Sequence, residues 1–348
     1  MKVLITGACG FAGRHLIDYL LGSSSSPDKK VEKDKCLPRK MPLISAEDIT
    51  AADITDYSFN NGCSAASAGK MERVNFIKAD ISIKKVVREI IKKIKPDRIY
   101  HLAGQPSVGY SWKDPVKTFE VNVIAGIQLL EAARSYSPDC RILIACTAEE
   151  YAPVKNDGDT AITENFHIGP SNPYAISKAA IDFFAATYQK AYGMPVFISR
   201  SFNHIGPGQS ENFVTADFAK QIAEIEAGHK KPEVFTGNLE AYRDFLDVRD
   251  AVRAYCFITE YGKPGEPYNV CSGIKTRISD MLDMMISLSK VGKIKITVDK
   301  KKLRPVDVKS IYGDNTRIKN HTGWKPEYNI KHTLKDTLDW WRERSRSK

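Results

Sequence analysis

The 348-residue sequence lacks any apolar run of the roughly 20 residues that a membrane-spanning helix needs. Hydrophobic residues make up 42% and charged residues 27%, a balance that excludes disordered, collagen-like and coiled-coil chains. Residues 1–7 predict a core strand that enters a turn at once, so we expect no signal peptide. These absences predict a globular, cytoplasmic protein that does not enter a membrane.

Cysteine and histidine are scarce and scattered. The seven cysteines are an odd number, and no two of them have the C-x-x-C spacing. We therefore expect free thiols in a reducing compartment rather than a disulfide framework. The seven histidines include no H-x-x-x-H pair, and the sequence predicts no metal site.

Acidic residues are fewer than basic ones, 42 against 52, which leaves a formal net charge of +10. This excess suggests an anionic partner: a nucleic acid, a membrane surface or a phosphorylated small molecule. Much of it lies in lysine clusters such as 92–93 and 300–302. Such clusters are typical of solvated faces, so the charge alone does not choose among these partners.

Short apolar strands alternate with amphipathic helices along the first 200 residues. The predicted elements are 2–6, 11–21, 74–79, 83–94, 97–103, 115–136, 141–146, 172–191 and 195–200. This alternation is typical of a parallel sheet with helices on both faces. We predict an α/β fold, a Rossmann-type doubly wound sheet, as a dinucleotide-binding domain over residues 1–205.

Two regions depart from the alternation. Residues 22–73 contain a run of four serines, many lysines and several prolines, and we expect there a surface insertion together with a second strand that the pattern does not place. After residue 205 the rhythm changes. We predict that residues 206–348 form mainly a smaller α+β substrate-binding lobe, interleaved with the last strands of the sheet.

Three glycines, Gly7, Gly10 and Gly13, separate the first strand from the first helix. In this position the first permits a tight turn, the second lets backbone approach a pyrophosphate, and the third lets the helix pack on the strand. The helix N-terminus then presents free N–H groups to the phosphates. The motif predicts a dinucleotide cradle.

The choice of dinucleotide depends on a residue roughly 20 positions further on, inside the irregular stretch. Acids there would favour NAD and bases would favour NADP. The candidates are Glu32 and Asp34 for NAD, and Lys33, Lys35, Arg39 and Lys40 for NADP. Both cofactors stay open.

Tyr174 and Lys178 form a Tyr-x-x-x-Lys motif at the start of a predicted helix. Positions i and i+4 share one helical face, and a neighbouring ammonium is expected to lower the pKa of the phenol so that it can move a proton near neutrality. The preceding strand ends at Thr147, whose hydroxyl can bond a substrate oxygen at the ligand-binding edge of the sheet. Glu149 can point the same way, whereas we expect Glu150 to be a solvated loop acid.

Together these motifs resemble the extended short-chain dehydrogenase/reductase family. The resemblance implies that Thr147, Tyr174 and Lys178 are catalytic, with Lys178 also holding the nicotinamide ribose. It implies a cofactor site made of Gly7, Gly10, Phe11, Gly13, Asp80, Ile81, Leu102, Ala103, Gly104, Tyr174 and Lys178. Asp53-Ile54 mimics Asp80-Ile81, but we prefer Asp80 because its strand and helix lead directly to strand 97–103.

Within that family the chain resembles the branch that acts on GDP-mannose derivatives. The matching blocks are 105–112, 149–151, 202–209, 237–244 and 303–308. The resemblance implies substrate contacts from Ser107, Asn203, Arg243 and Arg304. It also implies a homodimer or homotetramer through helices 115–136 and 172–191.

Several functions remain as hypotheses. The first is reduction of the C4 ketone of GDP-4-keto-6-deoxy-D-mannose. The alternative is a GDP-mannose or GDP-heptose 4,6-dehydratase with tightly bound NAD(P), in which Glu149 removes the C5 proton. A C4 epimerase is a third reading. An RNA-binding relative without chemistry is disfavoured, because the Tyr174, Lys178 and Thr147 set is intact and no aromatic-basic stacking motif is present; we expect no nucleic-acid partner.

Overall fold

The computed structural model describes residues 1–22, 44–56, 71–154, 160–302 and 308–346. Its strands are β1 Val3–Thr6, β2 Ile49–Asp53, β3 Asn75–Lys78, β4 Arg98–His101, β5 Arg141–Thr147, β6 Val196–Ser201, β7 Asn203–Ile205, β8 Glu233–Thr236, β9 Tyr242–Asp247, β10 Pro267–Val270, β11 Lys275–Arg277, β12 Lys295–Val298 and β13 Ser310–Ile311. Its α-helices are α1 Phe11–Leu20, α2 Lys84–Ile94, α3 Val108–Lys113, α4 Pro115–Phe119, α5 Ala125–Tyr136, α6 Pro173–Tyr192, α7 Val214–Glu226, α8 Val248–Tyr261, α9 Ile278–Ser287, α10 Thr316–Thr322 and α11 Ile330–Arg346. A π-helical segment, Glu120–Ile124, joins α4 to α5.

The main sheet has seven parallel strands in the order β3-β2-β1-β4-β5-β6-β10. The order of the chain reverses between β1 and β4, which pair from Val3↔Arg98 to Thr6↔His101. In such sheets a crevice opens at the carboxyl ends of the strands on either side of this switch point. The predicted α/β, Rossmann-type fold is confirmed.

Helices cover both faces of this sheet. Helices α1 and α8 pack on one face through side chains such as Leu16 and Tyr255. Helices α2, α5 and α6 pack on the other through side chains such as Ile91, Leu129 and Ile181. Strands buried on both faces need continuous apolar runs, and this explains why β1, β4, β5 and β6 were predictable from hydrophobicity.

The expected second strand is β2, which lies inside the irregular stretch. Its first four residues, Ile49 to Ala52, are buried between β1 and β3. Two alanines and an aspartate make up most of this five-residue strand, and these residues are depleted in strands, so its signal in the sequence is weak. The rest of the stretch at 23–43 and 57–70, with the charged candidates at 32–40, lies outside the described residues.

The residues after 205 form a second layer of structure beyond the carboxyl end of the sheet. Strands β7, β9, β11 and β13 make one small sheet, and β8 pairs with β12. Helices α7, α9 and α11 enclose a separate core that includes Phe218, Met281 and Leu334. β10 comes from this half of the chain yet pairs with β6 in the main sheet, which is the predicted interleaving; the boundary at residue 205 stays a prediction.

Two further observations bear on the expectations from composition. None of the helices in the described ranges is long and apolar enough to cross a membrane. The described cysteines, Cys9, Cys140, Cys146, Cys256 and Cys271, are free thiols.

Candidate active site

The turn between β1 and α1 leaves no room for side chains at two of its glycines. Gly7 has φ +71°, and a Cβ on it would lie 2.6 Å from the backbone nitrogen of Ala103. A Cβ on Gly13 would lie 2.3 Å from the carbonyl oxygen of Gly7. Gly10 caps α1 without a side-chain hydrogen bond, so the first N–H groups of the helix face the turn. This cradle fits the pyrophosphate of a dinucleotide.

Phe11 lies at the first position of α1, but its ring points away from the glycine turn. The ring stacks on His204 with 5.8 Å between centroids and 14° between planes, and His15 meets it edge-on. The Nε2 of His15 is 2.9 Å from the carbonyl oxygen of Pro207. The side chain thus joins α1 to β7, and the role of Phe11 in cofactor binding stays a prediction.

Asp53 lies beside the glycine turn, although the sequence motifs favoured Asp80. It ends β2 beside the glycine turn, and its Oδ2 accepts a hydrogen bond from the backbone N–H of Cys9 at 2.9 Å. Its Oδ1 accepts from the backbone and the hydroxyl of Thr55. The strand that ends at Asp53 is hard to recognise in the sequence, so the spacing rule placed the candidate acids at Glu32 and Asp34 instead. This is the place where dinucleotide-binding folds put the acid that faces the adenosine ribose.

The other predicted cofactor residues follow β3 and β4. Asp80 accepts hydrogen bonds from the backbone and the hydroxyl of Ser82, and the bond from that hydroxyl is the first cause that lowers the pKa of Asp80. Ile81 is buried. Leu102 and Ala103 form the backbone on which Gly7 rests. These positions border the crevice from both sides of the glycine turn, and their contacts with a dinucleotide stay predictions.

Lys178 reaches from α6 to the same edge of the sheet. Its Nζ donates a hydrogen bond to the carbonyl oxygen of Ala145 at 2.8 Å. A Cβ on Gly104 would lie 3.4 Å from this Nζ and 3.0 Å from the Oδ1 of Asn122. Burial lowers the pKa of Lys178. The motif lysine and the predicted cofactor segment are therefore neighbours.

Asn122 is a second residue that the sequence analysis missed. It lies in the π-helical segment, is 1% exposed, and bonds Ser177 and both backbone groups of Gln105. It thereby ties the segment after β4 to the helix of the Tyr-x-x-x-Lys motif. A π-bulge often marks a functional position in a helix. The sequence feature that could have identified Asn122 is that it is the one polar residue in the otherwise apolar segment 121–124.

Tyr174 lies in the first turn of α6 and Thr147 ends β5, close enough that the Thr147 side chain influences the pKa of the phenol. Burial first, and the charge of Glu149 second, raise the pKa of Tyr174 above its usual value, while Thr147 lowers it. The expectation that Lys178 lowers this pKa is therefore wrong, since the Nζ of Lys178 bonds the backbone instead. At neutral pH the phenol keeps its proton.

The two consecutive glutamates after Thr147 have opposite environments. Glu149 is half-buried, and its Oε2 accepts a hydrogen bond from the Nδ2 of Asn172 at 2.9 Å. Glu150 is 0% exposed and its Oε1 accepts from the backbone N–H of Thr147 at 3.0 Å. The expectation of a solvated Glu150 is wrong, because the short helical turn 148–150 directs this side chain back under the sheet.

The predicted substrate residues are only partly brought together. Asn203 begins β7 and Arg243 lies on the adjacent β9, where Asn203 pairs with Phe245. The Nη1 of Arg243 donates to the carbonyl oxygens of Tyr242 and Val308. Ser107 is exposed and caps α3 by accepting from the N–H of Tyr110 at 3.2 Å. Arg304 lies outside the described residues, so its role stays a prediction.

One group of side chains in the described ranges has the spacing of metal ligands. Single ligand atoms of Cys146, Glu150 and Asp182 lie within 4.8 Å of one another. The Nε of Arg200 donates to Asp182 at 2.8 Å and lies 3.5 Å from Glu150. Because a guanidinium already makes a bidentate pair with Asp182 and occupies the space beside Glu150, we assign no metal to them.

A family model described as GDP-mannose 4,6 dehydratase matches residues 4–337. GDP-6-deoxy-D-mannose reductase of Pseudomonas aeruginosa is 34% identical over 251 residues, which are 72% of this chain and 82% of the relative. GDP-mannose 4,6 dehydratase 2 of Arabidopsis thaliana is 28% identical over 97% of this chain and 85% of the relative.

A solved structure shows the same architecture. It is RMD from Pseudomonas aeruginosa complexed with NADPH, which superimposes with a TM-score of 0.79 and 27% identity. The match covers 99% of this chain and all of the other, 100%. The glycine turn and the Tyr174 region thus belong to a fold that in this neighbour holds a dinucleotide.

We expect Tyr174→Phe to lower turnover by roughly 10²–10⁴-fold, because only the hydroxyl can transfer a proton. Dinucleotide affinity, measured by the fluorescence of the bound reduced form, should stay within a few-fold. Tyr192→Phe is the matched control, since Tyr192 ends the same helix and is 56% exposed. If Tyr174→Phe kept more than about a tenth of the wild-type rate, Tyr174 would have no part in the proton step.

Proposed function

This chain belongs to the GDP-mannose 4,6 dehydratase family, and from that premise we propose that it reduces the C4 ketone of GDP-4-keto-6-deoxy-D-mannose with NAD(P)H. One observation carries the chemistry at C4, which reduction and dehydration share. Tyr174 is a half-buried phenol whose raised pKa keeps its proton in place beside Thr147, as a donor to a newly formed alkoxide must. The 34% identity to a GDP-6-deoxy-D-mannose reductase supports the choice of reduction.

Each of the site residues has a separate role in this reaction. When bound, the dinucleotide supplies the hydride for C4. Tyr174 gives its phenolic proton to the C4 oxygen, and Thr147 holds that oxygen by its hydroxyl. The ammonium of Lys178 lies beside Gly104, where it would bond the nicotinamide ribose. The glycine turn and the start of α1 would hold the pyrophosphate.

A second function is supported by the position of Glu149. Its carboxylate is close enough to Tyr174 to raise the pKa of that phenol, and unlike the neighbouring Glu150 it is not deeply buried. A base in this place could remove a C5 proton and return a proton to a departing C6 oxygen, as a 4,6-dehydratase requires. The family contains both activities among the relatives found here.

The Glu149→Gln variant separates the two functions. For a reductase, we expect the variant to keep substantial turnover of the 4-keto sugar with added NADH or NADPH, since the amide preserves the bond to Asn172. For a dehydratase, the variant should lose roughly 10²-fold or more and accumulate reduced cofactor that absorbs in the near ultraviolet. Glu89→Gln, on the exposed face of α2, is the control.

Product analysis by NMR completes this test. Wild-type protein is given GDP-mannose in one sample and its 4-keto-6-deoxy derivative in another. Conversion of GDP-mannose without added cofactor, together with loss of that activity in Glu149→Gln, would contradict the reductase and establish the dehydratase.

The position of Asp53 supports NADH as the preferred reductant. Its carboxylate lies against the glycine turn, where it would bond ribose hydroxyls and repel a 2′-phosphate. We expect Asp53→Asn to shift the ratio of kcat/KM for NADH over NADPH by about tenfold towards NADPH, because a partly screened charge repulsion is removed.

The matched control for this shift is Asp139→Asn, an exposed aspartate just before β5. The control should keep the wild-type ratio. Wild-type protein that uses NADPH better than NADH would contradict the assignment of Asp53.

We propose a homodimer through α3, α4 and α6. These helices, with the π-helical segment that follows α4, expose large apolar side chains next to one another: Tyr110, Trp112, Val116, Phe119, Ile124, Phe183 and Phe184. A patch of this kind is typical of a protein–protein interface. Light scattering at micromolar concentration should give the mass of at least two chains.

Substitution tests which surface is buried in the dimer. Phe183→Asp should reduce the mass to that of one chain without unfolding it, since a buried unpaired charge opposes association. Ile274→Asp, on an equally exposed apolar position away from these helices, should not. A monomeric wild-type protein would contradict the proposal.

A further inference from the structure

Two carboxyl groups and one guanidinium are buried together beneath the catalytic end of β5. Glu150, Asp182 and Arg200 are 0%, 3% and 5% exposed. Asp182 lies one helical turn after Lys178 on α6, and Arg200 lies on β6. Burying a charge is costly unless it is paired and hydrogen-bonded, so the protonation of this group of three must be accounted for.

Arg200 can compensate only one of the two acids. Its Nε and Nη2 donate to the two carboxylate oxygens of Asp182 at 2.8 and 3.3 Å. Its Nη1 donates to the hydroxyl of Tyr151 and the carbonyl oxygen of Glu164, both at 3.3 Å. Four of its five N–H donors are therefore used, and its bidentate pair is with Asp182. If Glu150 were also ionised, the three groups would carry a buried net charge of −1.

The Oε2 of Glu150 has no hydrogen-bond partner within the described part of the chain. It lies 3.5 Å from the Nε of Arg200, a longer ion pair than the 2.8 Å one that Asp182 makes. One carboxyl oxygen of Glu150 and one of Asp182 lie within 4.8 Å of each other. Burial first, and the charge of Asp182 second, raise the pKa of Glu150 well above its usual value.

The other oxygen of Glu150 acts on the catalytic strand. Oε1 accepts from the backbone N–H of Thr147 at 3.0 Å, and the Thr147 hydroxyl accepts from the N–H of Glu149 at 3.3 Å. These reciprocal bonds form a capping box around the turn 148–150. They fix the direction in which Thr147 presents its hydroxyl to Tyr174.

We propose that Glu150 is a positioning residue that works as a neutral acid: it accepts from Thr147, donates its proton to Asp182, and so ties the end of β5 to the helix that carries Tyr174 and Lys178. The proposal depends on the proposed function only in taking Thr147 and Tyr174 as the reacting pair. It holds equally for ketone reduction and for dehydration.

Ionisation of Glu150 would disturb the site in two ways. It would remove the donor to Asp182. It would also place a second negative charge near Tyr174 and Lys178, and the charge of Glu150 raises the pKa of both. The titratable and charged groups that face Glu150 are Cys146 on β5, Tyr151 after the turn, Tyr174, Lys178 and Asp182 on α6, and Arg200 on β6. We expect the rate to fall at alkaline pH as Glu150 ionises.

The test compares wild type with Glu150→Gln, because a glutamine amide reproduces both hydrogen bonds of the neutral acid. Turnover of Glu150→Gln at pH 7 should stay within about threefold of wild type, since no buried group is left unpaired. Its alkaline limb in the pH profile of kcat should begin about one pH unit or more above that of wild type. The control variant Glu89→Gln should show the alkaline limb of the pH profile at the same pH as wild type.

An infrared measurement tests the proton without any substrate. Wild-type protein at pH 7 should show the carbonyl stretch of a buried protonated carboxyl group, and Glu150→Gln should lose it. Glu150→Ala, which removes the link to Thr147, should lower kcat by about 10²-fold at similar dinucleotide affinity. If the alanine variant does not fold, the glutamine variant and the infrared band still test the proposal.

Three results would overturn the proposal. They are the absence of the carboxyl band in wild type, a loss of about 10²-fold in Glu150→Gln at pH 7 with intact dinucleotide binding, and an unchanged alkaline limb in that variant. If the reductase assignment fails, the rates are measured on whichever GDP-sugar wild type converts, and the infrared result is unaffected.

Discussion

The close approach of backbone to backbone at the centre of the main sheet governs the rest of this molecule. Gly7 rests on the chain at Ala103, and Gly13 rests on Gly7, so β1, α1 and the segment after β4 meet where no side chain fits. This contact leaves the start of α1 open for phosphates. It also sets the segment 102–104 beside Lys178, which brings the cofactor cradle and the proton-transfer residues to one edge.

Burial tunes the chemistry of that edge. Tyr174 is half-buried and Lys178 is buried, and their pKa values move in opposite directions because burial favours the neutral form of each group. The phenol therefore keeps its proton, and the lysine is stabilised by the carbonyl of Ala145. A bound dinucleotide would add its own charges to this balance, in a site whose hydrogen bonds are already made.

The similarity between ketone reduction and 4,6-dehydration also has a structural basis here. Both reactions need a hydride acceptor or donor at C4 and a phenol–hydroxyl pair next to it, a role that we propose for Tyr174 with Thr147. They differ in the demand for a base near C5 and C6. In the mechanisms proposed for this chain, the difference therefore depends on one half-buried carboxylate, Glu149.

The sequence by itself determined the parallel sheet, the glycine cradle and the Tyr174–Lys178 pair. It did so because a strand buried on both faces needs an apolar run, and because a turn without room for side chains needs glycine. Only the tertiary structure decided the positions of Asp53, Asn122 and Glu150. Asp53 ends a short strand in which alanine and aspartate give a weak signal, and Asn122 lies in a π-helical segment for which no spacing rule exists. From the sequence Glu150 is expected to be a solvated loop acid, but in the folded chain β5, β6 and α6 enclose it. The environment of a carboxyl group is set by residues that are distant in the chain.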